Sequence, residues 1–324
     1  MIRVGILGTA RIARAFLGTP LRNAEIVAIA SREEARADSF AKEFNLPKSY
    51  GSYKELIDDP SIDAVYIPLP QHLHCEFVLK AAHAGKHVLV EKPAALSMQE
   101  LEEMESACTK QHVLYMEAFM YRFKQIHLRV KELVDSGVIG EIRHVDFNWS
   151  INIGKLLRSD FRLDPERGGG ALYDLGVYGA DFLQFLIGTP VEILSSFIQK
   201  SNTNGVDLFS HTFCKAGGVL STVMCGFTLD ANHYSIGGET GSIYVPGSLS
   251  GRQVTNKLFM HLLVDDERKE EVFAPENPYT KELEYFADCI SQKKTPVPGF
   301  IESRSVMKFL EDARANAKEL SARM

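Results

Sequence analysis

The first 118 residues alternate short apolar segments with helical segments, and this rhythm limits the possible folds more than any other feature. Each apolar segment has the length of a buried strand, and helical patterns separate most of them. Such alternation is typical of an α/β fold with a doubly wound parallel sheet, which binds ligands at the carboxyl ends of its strands. Six strands are predicted, at 2–7, 25–30, around Tyr50, 64–67, 87–90 and 113–116.

The predicted strand at 87–90 stops on the charged sequence Glu91-Lys92-Pro93. The carboxyl end of a buried parallel strand lies at the edge of the sheet where ligands bind, so we expect Lys92 to point into an active site. The proline restricts the backbone that follows the lysine. On this stretch alone, a surface lysine in a strand-to-helix loop is an equally good interpretation.

The turn after the first strand matches a dinucleotide-binding fingerprint. The sequence Gly8-Thr9-Ala10-Arg11-Ile12-Ala13 follows the strand directly and opens a helical stretch through Phe16. In such a fingerprint, glycines let the backbone approach a pyrophosphate at the helix N-terminus. Gly8 fits the first glycine and Ala13 the small third residue, whereas Ala10 replaces the second glycine. The motif predicts a site for a nicotinamide dinucleotide.

The second strand ends in Ser31-Arg32, about 20 residues after the glycine turn, where such sites read the adenosine ribose. A hydroxyl followed by a guanidinium suits a ribose 2′-phosphate, whereas a free 2′-hydroxyl is usually read by an acidic residue. The sequence therefore favours NADP(H) over NAD(H). Glu33 and Glu34 are the competing acids, and we expect them to start the next helix, where carboxylates complement the helix dipole.

Beyond residue 118 the pattern changes to closely spaced strands. Short turns between successive strands predict a large, mostly antiparallel, open-faced sheet. We therefore expect a Rossmann domain at 1–118 and an α+β domain at 119–324 for substrate binding and oligomerisation, with a C-terminal helix able to pack back on the first domain. Helices are predicted at 123–135, 172–186, 279–292 and 302–322, and strands at 142–151, 191–198, 208–213, 219–227, 233–236, 242–245 and 258–264.

Composition argues against several kinds of partner. The net charge is −6 with both signs interspersed, so no basic stripe is present to bind a nucleic acid. The N-terminus lacks the pattern of a signal peptide and no apolar run reaches membrane length, so we expect a cytoplasmic protein without membrane contact. The five cysteines are scattered, which predicts reduced thiols. His72 and His74 are not accompanied by cysteines or carboxylates at the spacing of metal ligands, so no metal is expected.

Four motifs together resemble the glucose-fructose oxidoreductase and inositol dehydrogenase superfamily, the Gfo/Idh/MocA family, over essentially the whole chain. They are the glycine turn at 8–13, Pro70-x-x-x-His74, Glu91-Lys92-Pro93, and Gly-Gly-Gly-Ala-Leu-Tyr-Asp-Leu-Gly-Val-Tyr at 168–178. The Glu-Lys-Pro motif combined with Asp-x-Gly-x-Tyr is more specific than the glycine turn. The segments 116–123 and 162–165 look like the branch that holds NADP-dependent xylose dehydrogenase and dimeric dihydrodiol dehydrogenase.

The resemblance implies roles for individual residues. Lys92 matches the active-site lysine, Asp174 the carboxylate associated with it, and Tyr178 a position that is tyrosine in this branch. Ser31 and Arg32 match the NADP-selecting position. The resemblance also implies a homodimer or homotetramer formed through the open face of the second sheet. The residues expected to bind the cofactor are Gly8, Thr9, Ala10, Arg11, Ile12, Ser31, Arg32, Leu69, Pro70, His74, Glu91 and Lys92.

The spacing of Asp174 and Tyr178 fits the chemistry of alcohol oxidation. Four residues apart on a predicted helix, their side chains lie on one face. Oxidation removes the hydroxyl proton as hydride leaves, and a phenol with an ordinary pKa near 10 is a poor base at neutral pH. An ammonium at Lys92 would favour the phenolate and polarise the substrate oxygen, with Asp174 orienting the lysine. In the reverse direction the same groups protonate a reduced carbonyl.

The expected substrate carries a hydroxyl or carbonyl carbon and is a sugar, a polyol or a related small diol; the sequence does not choose among them. Four residues are candidates for contact with it, and each could equally serve packing. An alternative function is a non-catalytic, NADP-binding redox sensor or regulatory protein, against which the retained catalytic candidates count. The candidate substrate contacts are Met120, Arg122, Trp149 and Arg162.

Overall fold

The protein is described by a computed structural model that covers residues 1–154, 160–188, 190–249 and 258–320. Its contacts divide the chain into two compact units. The first unit comprises Met1–Phe119 and Tyr279–Arg304, and the second comprises Met120–Pro278 and Ser305–Met324. A segment near the C-terminus therefore belongs with the N-terminal unit.

Helices α5 and α7 begin and end within two residues of the predicted positions, whereas the helices predicted at 172–186 and 302–322 differ from the structure at one end. Ser97 caps one helix, because its Oγ accepts the backbone N–H of Glu100 at 3.2 Å. Among the described residues the α-helices are α1 (Glu34–Phe44), α2 (Tyr53–Asp58), α3 (His74–His83), α4 (Met98–Lys110), α5 (Gln125–Asp135), α6 (Val177–Ile187), α7 (Pro278–Gln292) and α8 (Phe300–Ala315).

The strands of the first unit are β1 (Ile2–Leu7), β2 (Ala24–Ala30), β3 (Lys48–Tyr50), β4 (Ala64–Ile67), β5 (His87–Glu91) and β6 (Tyr115–Ala118). They form one parallel sheet in the order β3-β2-β1-β4-β5-β6. This is the order of a Rossmann sheet, in which the strand order reverses between β1 and β4. The central strands are buried along nearly their whole length, as expected for parallel strands covered on both faces.

The strands of the second unit are β7 (Ile142–Ser150), β8 (Val191–Lys200), β9 (Asp207–Ala216), β10 (Val219–Gly226), β11 (Ala231–Gly238), β12 (Gly241–Pro246), β13 (Leu258–Val264), β14 (Glu267–Phe273) and β15 (Ala317–Glu319). They form one sheet in the order β14-β13-β12-β11-β7-β10-β9-β8-β15. Only β7–β10 and β8–β15 pair in parallel within the described residues, so the sheet is mostly antiparallel. The predicted fold class is confirmed.

Helix α6 packs closely on one face of this sheet. Rings of the helix and the strands meet here, with centroids 5.6 Å apart for Phe147 and Phe182 and 4.4 Å apart for Phe182 and Tyr234. A Cβ at Gly179 would lie 3.0 Å from Phe147 Cδ1, so a glycine allows the helix backbone to approach the strand. The aromatic contacts fix the helix that carries Tyr178.

Two strands were not predicted, and both lie at edges of the second sheet. Strand β14 has the sequence Glu-Arg-Lys-Glu-Glu-Val-Phe, whose charges suit an exposed edge and hide the strand pattern. Strand β15 falls inside the helix predicted at 302–322, which is wrong at its C-terminal end. Helix α8 ends at Ala315, and the chain then pairs with β8. Residues 321 and 322 of that prediction lie outside the described residues.

Within the described residues, no helix combines the length and the apolar character needed to cross a membrane.

Candidate active site

The glycine turn after β1 has the backbone geometry that its first residue predicts. Gly8 has a φ of +105°, and a Cβ there would lie 3.0 Å from Cδ2 of Leu69, so only glycine fits without strain. Ala10 has an ordinary φ of −62°, so its backbone conformation does not require a glycine. The helix predicted after this turn is a short 3-10 helix, Arg11–Phe16. The turn therefore has the glycine geometry of the fingerprint but continues into a 3-10 helix rather than an α-helix.

The end of β2 places Ser31 as the sequence predicts. Ser31 is buried, its backbone N–H donates to the carbonyl of Tyr50 at 3.1 Å, and its Oγ accepts the N–H of Glu33 at 3.3 Å. Glu33 occupies the N-cap position of α1 and Glu34 is its first residue. The two competing acids thus start the helix, as expected.

Arg32 lies in a cationic cluster that the sequence did not fully reveal. Its guanidinium and that of Arg36 lie near the hydroxyl of Tyr53. Burial raises the pKa of Tyr53, and the two guanidiniums partly offset this effect. The same hydroxyl lies 3.7 Å from the position that a Cβ of Gly8 would take. Two guanidiniums and a phenol therefore gather beside the glycine turn, a donor set that suits a phosphate group.

His74 connects the loop after β4 with the loop after β5. Its Nδ1 lies 2.8 Å from the carbonyl oxygen of Pro93, and its Nε2 lies 2.7 Å from that of Leu69. Burial lowers the pKa of His74 to about 4, so the imidazole is neutral and donates to one of the two carbonyls in each tautomer. Lys92, which is partly exposed, precedes Pro93 directly. The histidine thus braces the backbone next to the candidate lysine.

A second carboxyl lies near Glu91, the first residue of the Glu-Lys-Pro motif. Glu91 accepts a hydrogen bond from the hydroxyl of Tyr66 at 2.7 Å. Glu282 of α7 is fully buried, and neither of its carboxylate oxygens has a hydrogen-bond partner among the described residues. Burial, and then the charge of Glu91, raise the pKa of Glu282 well above its usual range.

In the second unit, Asp174 is buried and paired with Arg162. The Nε of Arg162 donates to Oδ2 of Asp174 at 2.7 Å, and the charge of Asp174 raises the pKa of Arg162. Asp174 lies in a π-helical turn, Leu172–Gly176, which continues directly into α6. The predicted single α-helix is therefore wrong in its first turn. Wider turns of this kind are frequent at functional sites.

Tyr178 lies in the first turn of α6 against two of the predicted substrate residues. Its hydroxyl donates to Sδ of Met120 at 3.6 Å, and its ring centroid is 4.2 Å from that of Trp149. All three side chains are at most 7% exposed. The structure therefore brings Met120, Trp149 and Tyr178 together.

Arg122 has a different environment from the other candidate substrate contacts. Its Nε and Nη2 donate to the two carboxylate oxygens of Asp181 at 2.8 and 2.7 Å, and the Tyr121 hydroxyl donates to the same carboxylate at 2.7 Å. Arg122 is 7% exposed and Asp181 is fully buried. This geometry pairs Arg122 with a buried carboxylate inside the second unit.

The predicted residues thus fall into two groups. Those of the first unit lie at the carboxyl ends of β1, β2, β4 and β5, and those of the second unit lie on or against the helical segment that starts at Leu172. Sequence reasoning missed Arg36, Tyr53, Asp181 and Glu282, which reach the predicted residues from other segments. Only Asp181 carried a signal, as a carboxylate in an otherwise apolar helix.

Both units match models of one protein family. Residues 2–119 match an oxidoreductase family with an NAD-binding Rossmann fold, and residues 127–244 match the GFO/IDH/MocA C-terminal domain. Fold and match together define a two-domain oxidoreductase that uses a nicotinamide dinucleotide. The chain belongs to the GFO/IDH/MocA oxidoreductase family. The predicted resemblance and the predicted class of enzyme are confirmed.

Similar proteins match along nearly the whole chain. D-xylose 1-dehydrogenase (NADP(+)) 2 of Haloferax volcanii is 34% identical, covering 95% of this chain and 94% of the relative. Trans-1,2-dihydrobenzene-1,2-diol dehydrogenase of Mus musculus is 30% identical, covering 97% and 96%. Among solved structures, a 3-ketoreductase from Actinomadura kijaniata in complex with NADP and TDP-benzene has a TM-score of 0.90 at 28% identity, covering 98% of both chains.

Proposed function

We propose that this protein transfers a hydride between NADP(H) and the hydroxyl or carbonyl carbon of a sugar, a polyol or a related small diol. The observation that carries the proposal is the likeness, along at least 95% of the chain, to an NADP-linked xylose dehydrogenase and a dihydrobenzenediol dehydrogenase. The names of those relatives place their reactions at a hydroxyl-bearing carbon next to another hydroxyl-bearing carbon. We infer the same reacting group for this protein.

Lys92, Asp174 and Tyr178 are the proposed catalytic residues. Bound NADP+ supplies the hydride acceptor. Tyr178 takes the hydroxyl proton of the substrate, and the positive charge of Lys92 favours the phenolate and polarises the substrate oxygen. Asp174 keeps the proposed role of orienting the lysine, and its own carboxylate accepts a hydrogen bond from Nε of Arg162 at 2.7 Å. Met120 and Trp149, in contact with Tyr178, are the proposed walls of the substrate site.

NADP(H) is the proposed cofactor in preference to NAD(H). Gly8 supplies the close backbone approach that a pyrophosphate needs, and Ser31, Arg32, Arg36 and Tyr53 form a donor set for the ribose 2′-phosphate. An acidic acceptor for a free 2′-hydroxyl would have to come from Glu33 or Glu34, which start α1 instead. The charges near the ribose position thus favour the phosphorylated cofactor.

Steady-state assays over a panel of aldoses, polyols and vicinal diols with NADP+, and of the matching carbonyl compounds with NADPH, test this function. We expect turnover of at least one compound, with kcat/KM at least about tenfold higher for NADP+ than for NAD+, because a charge-assisted phosphate contact is lost with NAD+. Equal efficiency with the two cofactors would contradict the cofactor assignment. Tight NADPH binding without turnover of any compound would contradict the enzymatic function and favour a redox sensor.

The cytoplasmic location stays a prediction.

We also propose that the protein forms a homodimer or homotetramer through the open face of the second sheet. Seven large apolar side chains on this face are 37–56% exposed, which is unusual for a surface in permanent contact with water. We expect light scattering to give a multiple of the 36.2 kDa chain mass, and Leu220→Glu to shift it toward the monomer. A monomeric wild-type protein would contradict the proposal. The seven residues are Leu194, Phe213, Leu220, Tyr244, Phe259, Leu263 and Val272.

A further inference from the structure

Asp207, the first residue of β9, reaches the start of the helical segment that carries Asp174 and Tyr178. Its Oδ2 accepts the backbone N–H of Leu172 at 2.6 Å, and its side chain is buried. The first N–H groups of a helix have no partner inside the helix, so they need acceptors from elsewhere. Here the acceptor comes from a strand 35 residues further along the chain.

A glycine makes this contact possible. Gly170 has a φ of +122°, and a Cβ at this position would overlap the carboxylate of Asp207. The N–H of Gly170 donates to the backbone carbonyl of Arg162 at 3.0 Å, and the guanidinium of Arg162 holds Asp174. The glycine loop is therefore fixed between the residue that pairs with Asp174 and the carboxylate that caps the helix.

A third group approaches the same carboxylate from α8. Nη2 of Arg314 lies 4.0 Å from Oδ1 of Asp207, and the Arg314 guanidinium lies 4.5 Å from the ring centroid of Tyr173. The arginine is half exposed and the ion pair is long, so its contribution is small. The short, buried bond to the Leu172 N–H is therefore the stronger contact between Asp207 and the described residues of the helix, with a further backbone hydrogen bond from Ala171.

We propose that Asp207 is a positioning residue that fixes the π-helical start of this segment and thereby the orientation of Asp174 relative to Tyr178. The inference rests on the proposed function, which assigns catalysis to those two residues. A π-helical turn holds one more residue than an α-helical turn. Without its anchor the turn can rewind, and rewinding by one residue rotates the preceding side chains by about 100° around the helix axis. Asp174 would then leave its partner Arg162.

Trp149 supplies a readout that does not depend on turnover. It is the only tryptophan of the chain, and its ring lies 4.2 Å from that of Tyr178. Its emission, measured without cofactor, therefore reports on the position of the helix. Asp59 supplies a matched control, because its carboxylate accepts the N–H of Ser61 at 2.8 Å in the first unit, close to the start of β4. That position is at the edge of the sheet opposite to the strand ends where ligands bind.

The experiment compares Asp207→Ala, Asp207→Asn and Asp59→Asn with the wild type in kcat, NADPH affinity, Trp149 emission and Tm. For Asp207→Ala we expect kcat to fall about ten- to hundredfold with altered Trp149 emission, because small misplacements of reacting groups have effects of this size. The Kd of NADPH should stay within about twofold of the wild-type value, because Asp207 is not one of the residues proposed to bind the cofactor. Asp207→Asn keeps a carbonyl oxygen that can accept the hydrogen bond. Its kcat should therefore lie between those of Asp207→Ala and the wild type. Asp59→Asn should lower Tm while leaving kcat and emission unchanged.

Unchanged kcat and Trp149 emission in Asp207→Ala would overturn the inference. A lower Tm with unchanged kcat and emission would also overturn it, because it would mark Asp207 as a merely structural residue. If Asp207→Ala does not fold, Asp207→Asn decides by the same criteria. If the wild type turns over no compound, the proposed function fails, and the Trp149 emission of the Asp207 variants still decides whether the carboxylate fixes the helix.

Discussion

Replacing Lys92 with methionine is expected to lower kcat by about a thousandfold while changing the Kd of NADPH by less than about threefold. Methionine keeps the length and the apolar body of the side chain but removes the ammonium, to which the proposed mechanism assigns stabilisation of the Tyr178 phenolate and of the substrate oxygen. The backbone next to Lys92 stays braced by His74, whose imidazole contacts the carbonyls of Leu69 and Pro93. Steady-state kinetics and NADPH fluorescence titration measure the two quantities.

The same change at an exposed lysine of the first unit provides the control. Lys110, in the last turn of α4, is exposed, and Lys110→Met should leave kcat unchanged. Adding Tyr178→Phe to Lys92→Met should cause little further loss, because residues that act as a unit are not additive. A Lys92→Met enzyme that keeps its kcat on a confirmed substrate would contradict the proposed mechanism.

The sequence predicts the first unit well because the strand pattern of each segment agrees with the parallel sheet that the whole unit forms. Apolar runs of strand length end at Gly8, Ser31 and Lys92, and parallel pairing brings the ends of such strands to one edge of a sheet. The positions of these residues at the edge therefore follow from strand order alone. The structure adds that Ala10, which replaces the second fingerprint glycine, has an ordinary backbone conformation.

Edge strands and unusual turns cannot be predicted from the sequence, and the reasons are physical. Strand β14 carries charges on most of its residues because it lies at an edge exposed to water, so no apolar alternation marks it. The π-helical turn at Leu172–Gly176 differs from an α-helix by one residue in its hydrogen bonding, which leaves no local pattern. It depends on Asp207, from a distant strand, and on the fit of Gly170 beside that carboxylate.

The partners of the candidate residues are the least predictable part of the site. Tyr53 lies beside Arg32, and Glu282 lies near Glu91, through contacts between segments that are distant in the sequence. A pattern of residue types along one segment predicts which face of it is buried but not which other segment covers that face. Asp181 is the exception, because a carboxylate in an apolar helix requires a buried partner, although the sequence does not say which.

Breaking the Arg122–Asp181 pair should lower the free energy of unfolding of the second unit by about 3–5 kcal/mol, because either single replacement leaves a buried charge without its partner. Asp181→Leu removes the carboxylate that accepts from the Arg122 guanidinium and from the Tyr121 hydroxyl. Urea unfolding followed by Trp149 emission, which reports on this unit, measures the loss. Lys308, exposed and paired with Asp312 at 2.7 Å on α8, is the control, and Lys308→Met should leave the midpoint unchanged.

The double variant Arg122→Met/Asp181→Leu separates the two interpretations of Arg122. Replacing both charges by apolar side chains removes the desolvation penalty together with the pair, so most of the lost stability should return. If Arg122 is structural, as its bidentate contact with Asp181 indicates, kcat and KM should return with the stability. A double variant that regains its urea midpoint but keeps a raised KM would instead support the prediction that Arg122 contacts the substrate. If the double variant does not regain stability, the conclusion that Arg122 and Asp181 mainly serve to pair with each other is wrong.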